Sequence, residues 1–413
     1  MVDLVIRNGR LSDGTRGCTV AIDRGAIVAI GPGLDLAAVQ VLDARDGLII
    51  PGFVESHMHL DVALMNDAER PGRPAPFRVP AELNRSMEER RLAFTRADIE
   101  DRATRALIMA TRHGVTALRA QCHVDATVGL KHLEALLSVR EATRDRVTLQ
   151  IVAFPQQGLL DQPATLDLFR EAFRLGADAM GCASNLDPRV TDNAAVHRHI
   201  EIALALALEH DVDLDTHADM GLPDEATLDT LETVYLARRA TEVGYQGRVT
   251  AGHVCALDSA EPAVAEAAID AIREAGISVI SQPDLYRLGR TDTRGVRRGL
   301  TRVKQLLAGG VNVAFASNNV RDAFRPLGNL DLLEEGLILA YGAHMDTVIE
   351  LEALMRMCTV NAAQALRLAR YGLAVGAQAD LVVLAAPTPS AALVDQAEKR
   401  FVLKAGRLIA ARE

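Results

Sequence analysis

Leu48-Ile49-Ile50-Pro51-Gly52-Phe53-Val54-Glu55-Ser56-His57-Met58-His59-Leu60-Asp61 is the stretch on which the reading of this chain turns. An apolar run with β-branched residues passes through Pro-Gly into two histidines spaced i, i+2. Side chains at i and i+2 leave a strand on one face. His57 and His59 therefore point together from a strand end, with Met58 turned away, and two converging imidazoles make half of a metal site. The chain carries its own control. His197-Arg198-His199 repeats the spacing, but Val196, Ile200, Ala203, Leu204 and Ala207 recur at helical intervals around it. On a helix i and i+2 do not face each other, so that pair is assigned to a solvated face and to no chemistry.

Downstream of the first histidine pair, strand-like runs alternate with helical patterns. The runs are 116–119, 147–154, 179–182, 212–217, 249–253, 277–280 and 311–315, and the strand ending at His57 makes eight. Helical stretches such as 97–113 and 261–275 fill the intervals, several closed by glycine (Gly114, Gly176, Gly276). Eight βα units over about 310 residues predict a (β/α)8 barrel, an α/β fold of the TIM type. Residues 66–93 are expected to form a long loop with a proline-rich start, close enough to the first strand's end to act as a lid.

Both chain ends read differently. Val2-Leu4-Ile6 alternates up to Asn8-Gly9, a hairpin signal, and further short strands follow at 19–22, 26–30 and 41–43. Leu381-Val382-Val383-Leu384 and the stretch 400–409 give more short strands at the far end. The expectation is a small β-sandwich domain built from both termini, residues 1–50 and 370–413, around a barrel domain of residues 51–369.

Composition excludes several classes of function. The chain has 413 residues, 49% hydrophobic, and a formal net charge of −10. An acidic chain of pI about 5.6 does not carry a nucleic-acid footprint. With no Trp and 3% aromatics, stacking platforms for bases are scarce. Arg90-Arg91 follows Glu88-Glu89 and reads as solvated or salt-bridged surface; Arg297-Arg298 is too short to make a patch. No run of 18 apolar residues occurs and the N-terminus lacks an apolar signal region, so no membrane span or secretion is expected. The five cysteines (Cys18, Cys122, Cys182, Cys255, Cys358) show no C-x-x-C spacing, which fits a reduced, cytoplasmic protein.

Active sites of such barrels lie at the C-terminal strand ends. Those ends hold His57 and His59, then Arg119 to His123, Gln156, His217, His253 and Ser317-Asn318-Asn319. Neutral imidazoles at His57, His59 and His217 supply three ligands for zinc or iron and leave an open position for water. His253, at the next strand end, is placed to orient a ligand or touch substrate. Gln156, with a donor and an acceptor on one amide, suits the edge of a planar ring.

The succession of Pro51–Asp61, Ile151-Val152-Ala153-Phe154-Pro155-Gln156-Gln157-Gly158, Thr216-His217-Ala218-Asp219, Val249-Thr250-Ala251-Gly252-His253 and Ser317-Asn318-Asn319-Val320-Arg321-Asp322 resembles the amidohydrolase superfamily. Within it the chain resembles the cytosine deaminase branch, which includes N-isopropylammelide amidohydrolase. The H-x-H pair is generic to the superfamily; Val152-Ala153-Phe154-Pro155-Gln156 is the more specific pointer. The resemblance covers nearly the whole chain. It implies one divalent metal, zinc first and iron or manganese as alternatives, on His57, His59, His217 and the position of Asn318. It implies substrate contacts at Gln156 and His253, with Asn319 and Met220 beside them. The implied reaction is attack of metal-activated water on a ring carbon of a small N-heterocycle or cyclic amide, with loss of ammonia or an amine. The implied partner is that small molecule; homo-oligomers are common among such barrels.

Two positions depart from the family pattern. Asn318 stands where a metal-binding Asp also serves as base, and Met220 where a Glu shuttles protons to the ring. An amide can offer its carbonyl oxygen to a metal but takes no proton at neutral pH. His253, Asp219, Asp322 and Asp61 remain as bases. Two readings follow: a C–N hydrolase with altered proton transfer, or an impaired or repurposed relative that binds a small molecule.

Overall fold

The computed structural model describes residues 1–66, 80–221, 223–283 and 299–412. Eight parallel strands lie side by side in chain order: Phe53–Met58, Val115–His123, Thr148–Phe154, Ala179–Cys182, Asp213–Ala218, Val249–His253, Ser278–Ser281 and Val313–Phe315. Last meets first where the Ser56 hydroxyl donates to the Phe315 carbonyl (3.3 Å) and the His59 amide to the Asn318 carbonyl (2.8 Å). The (β/α)8 barrel thus closes at the residues that the sequence marks for a metal.

Helices surround it for the expected reasons. Arg96–Arg112 starts at Thr95, whose hydroxyl accepts from the Asp98 amide, and buries Ile99, Ala103, Ala106 and Leu107. Asn193–Glu209 starts at Asp192, which caps the Ala195 amide. Each such cap satisfies an amide that the first helical turn leaves open.

The termini form two four-stranded sheets. One has the order 26–32, 18–23, 2–9, 38–43; the other 407–411, 399–404, 381–384, 48–51. Leu4, Ile6, Val20 and Ile22 of the first share a core with Leu381, Val383 and Leu403 of the second. The strand 48–51 runs straight into the first barrel strand through Gly52. A Cβ there would lie 2.3–2.8 Å from the Thr116 side chain, so only glycine allows the approach. Lys404 ties the sheets to the barrel: its ammonium donates to Asp380 (2.6 Å), the Thr116 carbonyl (3.0 Å) and Thr148 (2.6 Å).

Several local expectations are corrected. Residues 80–93 of the expected loop form a helix; 67–79, where the rest of the lid would fall, lie outside the described residues. Asn8-Gly9 does not turn the chain: the strand runs through it, with Asn8 at φ 58°, and its partner strand starts at Cys18. The second barrel strand extends from Val115 to His123, well past the predicted 116–119. Arg91 is not surface. It is fully buried, bridging Glu88 and Asp125. His199 is buried as well, 3.5 Å from the Cys182 sulfur, while His197 stacks on Tyr235; the helix keeps the two rings apart, but its face is not solvated. Arg297-Arg298 lies outside the described residues. All five cysteines are buried, and none forms a disulfide.

The barrel interior is polar at one level. The Arg119 guanidinium, from the second strand, donates to Gln150 (3.0 Å) on the neighbouring third strand and, across the barrel, to Asp215 (3.1 Å) and Thr250 (3.3 Å) on the fifth and sixth. Breaking a buried pair strands the other charge, so Arg119→Met is expected to cost about 3–5 kcal/mol. Denaturant unfolding of both proteins measures it; a loss under about 1 kcal/mol would show the pair to be dispensable.

Candidate metal centre and pocket

His57 and His59 leave the first barrel strand, and His217 the fifth. The Nε2 atoms of His57 and His217 lie 3.2 Å apart, those of His59 and His217 3.1 Å apart. Each neutral imidazole nitrogen offers either one proton or one lone pair, so these contacts supply at most one well-formed hydrogen bond among the three. Ligands at the 2.0–2.1 Å bond lengths of a tetrahedral zinc lie about 3.3–3.4 Å from each other, so the spacing suits an ion. Asn318 sits at φ 63°, in the left-handed region that Asn tolerates, and its Oδ1 is buried without a hydrogen-bond partner. The donor set fits a divalent cation.

The groups behind these ligands are ones the motif did not reveal. Asp215 precedes His217 by two on the same strand face and lies 3.5 Å from His57 Nδ1. That contact sets the proton on Nδ1 and leaves the Nε2 lone pair for a metal. Burial raises the Asp215 pKa, but the contacts with His57 and Arg119 outweigh it and hold the group near 2. Gln121 donates to the same carboxylate (2.9 Å). Glu55, fully buried, accepts from the amide (3.1 Å) and hydroxyl (2.5 Å) of Ser317 and from the His57 amide (3.3 Å). One carboxylate therefore positions both His57 and the turn that carries Asn318. Burial pushes its pKa up to about 7. The period-2 rule would have placed Asp215 on the face of His217 and Glu55 on the face of His57; nothing local marks which distant groups these carboxylates and Gln121 meet.

The sequence-derived residues divide. Gln156, Met220, His253, Asn318 and Asn319 line one chamber with His59 and His217, walled also by Leu186 and Phe324. The chamber holds about 20 Å³, room for a water-sized occupant. A cavity of about 480 Å³ shares Gln156, Leu186 and Phe324 with it. The His253 ring stands 5.2 Å from that of His217, on a residue at φ 71° whose amide donates to Gln282 (2.5 Å). Val254 follows at φ 52°, a strained setting for a β-branched residue of the kind found at functional sites. The Met220 sulfur accepts from the Asn185 amide (3.2 Å).

Asp219 is not brought in as a base. Its carboxylate accepts from the amides of Glu232 (2.5 Å) and Thr233 (3.2 Å) and from the Thr233 hydroxyl (2.5 Å), at the start of helix Glu232–Glu242. Asp322 is likewise committed, to the Phe324 and Arg325 amides and the Asn319 side chain. Asp61 faces His123 and His132. Of the four candidate bases, His253 alone lines the chamber.

Comparison with known proteins decides the family. The amidohydrolase family model matches residues 40–410. The chain belongs to the amidohydrolase family. It is 30% identical to N-isopropylammelide isopropyl amidohydrolase of Pseudomonas sp. (strain ADP), over 98% of this chain and 97% of that one. It is 31% identical to pterin deaminase of Rhizobium rhizogenes, over 99% of this chain and 91% of that one. The structure of 5-methylcytosine deaminase from Klebsiella pneumoniae liganded with 5-fluorocytosine superposes with a TM-score of 0.89 at 31% identity, covering 99% of this chain and 98% of that one. This amidohydrolase is a hydrolase of C–N bonds other than peptide bonds. Among the described residues, no helix is long and apolar enough to cross a membrane.

Proposed function

We propose that this amidohydrolase cleaves an exocyclic C–N bond of a small planar N-heterocycle or cyclic amide, at an ion held by His57, His59, His217 and Asn318. The carrying observation is the convergence of three imidazole nitrogens at 3.1–3.2 Å beside the unpartnered Asn318 oxygen, in a chamber walled by Gln156. A divalent cation with this donor set, zinc foremost, supplies Lewis acidity and acidifies water. Names of the relatives support a heterocyclic substrate: an ammelide, a pterin and a methylcytosine.

The chain's own groups then have distinct tasks. Gln156 pairs with an amide-like ring edge. His253 takes a proton from the attacking water and returns it to the leaving nitrogen. Asn318 carries no proton, and Met220 presents a neutral thioether where the family pattern has a carboxylate. A second reading, that the pocket binds a heterocycle without turning it over, rests on those two residues.

Turnover of a panel of amino- and alkylamino-substituted pyrimidines, triazines and pterins by metal-loaded protein separates the two. Turnover of a panel member is expected, and Gln156→Leu is expected to weaken binding of that compound by about 5- to 150-fold, the worth of roughly 1–3 kcal/mol for a stranded hydrogen-bonding edge. Binding without turnover across the panel favours the second reading. Unchanged affinity in Gln156→Leu removes Gln156 from the contact set.

A further inference from the structure

A second cluster of metal-type donors lies beside the first and shares no residue with it. Asp61 sits in the turn Leu60–Val62 after the first barrel strand, His123 ends the second strand, and His132 lies in the first turn of helix Lys131–Thr143. All three are buried, none more than 1% exposed, and one donor atom of each lies within 4.8 Å of the other two. Asp61 Oδ2 is 2.7 Å from His132 Nδ1 and 3.1 Å from His123 Nδ1.

Hydrogen bonding accounts for only part of the cluster. His132 Nδ1 donates to the carboxylate, and the His123 backbone amide does so too (3.0 Å). His123 Nδ1 stands within ion-pair distance of the same carboxylate, while Asp61 Oδ1 and His132 Nε2 make no hydrogen bond, and both are buried. Buried polar atoms are nearly always paired, and each one left open costs about 1–3 kcal/mol. Two in one cluster mark a site short of a partner. The donors are two imidazoles and one carboxylate, the set that binds zinc and similar borderline divalent ions. To take an ion between Asp61 Oδ2 and the two Nδ1 atoms, the contacts of 2.7 and 3.1 Å widen by roughly 0.6 and 0.2 Å to the ligand spacing around zinc, and the His132 Nδ1 proton is released.

We propose that Asp61, His123 and His132 form a second divalent-metal site, one that fastens the turn after His59 to the second strand and its helix. Its ring nearest the first site, His123, stands 6.1 Å from the His59 ring. The second ion thus braces the segment that delivers His59 without sharing a ligand with it. This inference goes beyond the proposed hydrolysis and does not depend on it.

Metal stoichiometry of purified full-length protein, equilibrated with zinc and freed of excess, tests it. The parent is expected to hold two zinc ions, His132→Phe one, His217→Ala one, and the double variant none. His132→Gln repeats the test with a polar side chain, and circular dichroism melts identify any variant that has not folded. An ion lost in the His132 variants but kept in His217→Ala supports the second site whatever happens at the first. A parent holding one ion, lost in His217→Ala and kept in both His132 variants, overturns it. So does a folded His132→Phe that still holds two.

Discussion

Replacing His217 by alanine is expected to remove the ion of the first site and to lower kcat/KM at least about 10³-fold. The rate estimate follows from Lewis-acid stabilisation worth several kcal/mol, at 1.36 kcal/mol per tenfold. His217 is the ligand to choose because it is common to both short contacts, 3.2 Å to His57 and 3.1 Å to His59. Without it, His57 and His59 remain as a two-nitrogen site beside an amide oxygen, and a neutral amide is a weak ligand for a borderline metal. In a site with a carboxylate at that position the loss would be buffered by charge; Asn318 offers none. Elemental analysis and turnover of the same preparation check the outcome. A His217→Ala variant that kept its ion and most of its rate would mean that the three histidines are not the ligand set. Because the ring also packs on Phe154, 4.6 Å away, a melting curve must accompany the measurement.

The sequence discloses what periodicity controls. The eight-fold alternation follows from short apolar runs interleaved with helical periods, and the pairing of His57 with His59 from side chains alternating faces along a strand. That rule also extends to Asp215, which shares a face with His217 and holds His57. It says nothing of partners brought together only when the barrel closes. Glu55 reaches Ser317, 262 residues away, and Gln121 reaches Asp215, 94 away. No local pattern encodes such contacts. Charge runs mislead for a related reason. Arg91 looks solvated beside Glu88 and Glu89, yet Asp125 draws it fully inside. The candidate bases show the same limit. Asp219, Asp322 and Asp61 each stand near the right strand end, but backbone amides, Thr233 and imidazoles already claim them.

Asn318→Asp together with Met220→Glu is expected to raise deamination of a cytosine-like ring by about 10²–10⁴-fold for each positioned acid or base restored. Both changes have room in the structure. Position 318 sits at φ 63°, which Asp accepts nearly as well as Asn, and the two side chains have the same shape. The new carboxylate would stand where Oδ1 now lacks a partner, and would accept the proton of the attacking water. At position 220 the Asn185 amide already donates to the sulfur, so a Glu carboxylate inherits a donor that holds it at the chamber wall. From there it can pass a proton to a ring nitrogen. The two groups serve one proton path, so either single change should give much less than the pair, as non-additive catalytic groups do. His253 then becomes less necessary: in the double variant, His253→Ala should cost less than it does in the parent. If Asn318 and Met220 are instead adapted to a ring that needs a neutral wall, the double variant gains nothing on cytosine and loses turnover of the substrate that the parent prefers. Assays of parent, both singles and the double at equal metal content distinguish these outcomes, and no gain in the double would reject the view that this pocket is a deaminase lacking only its carboxylates.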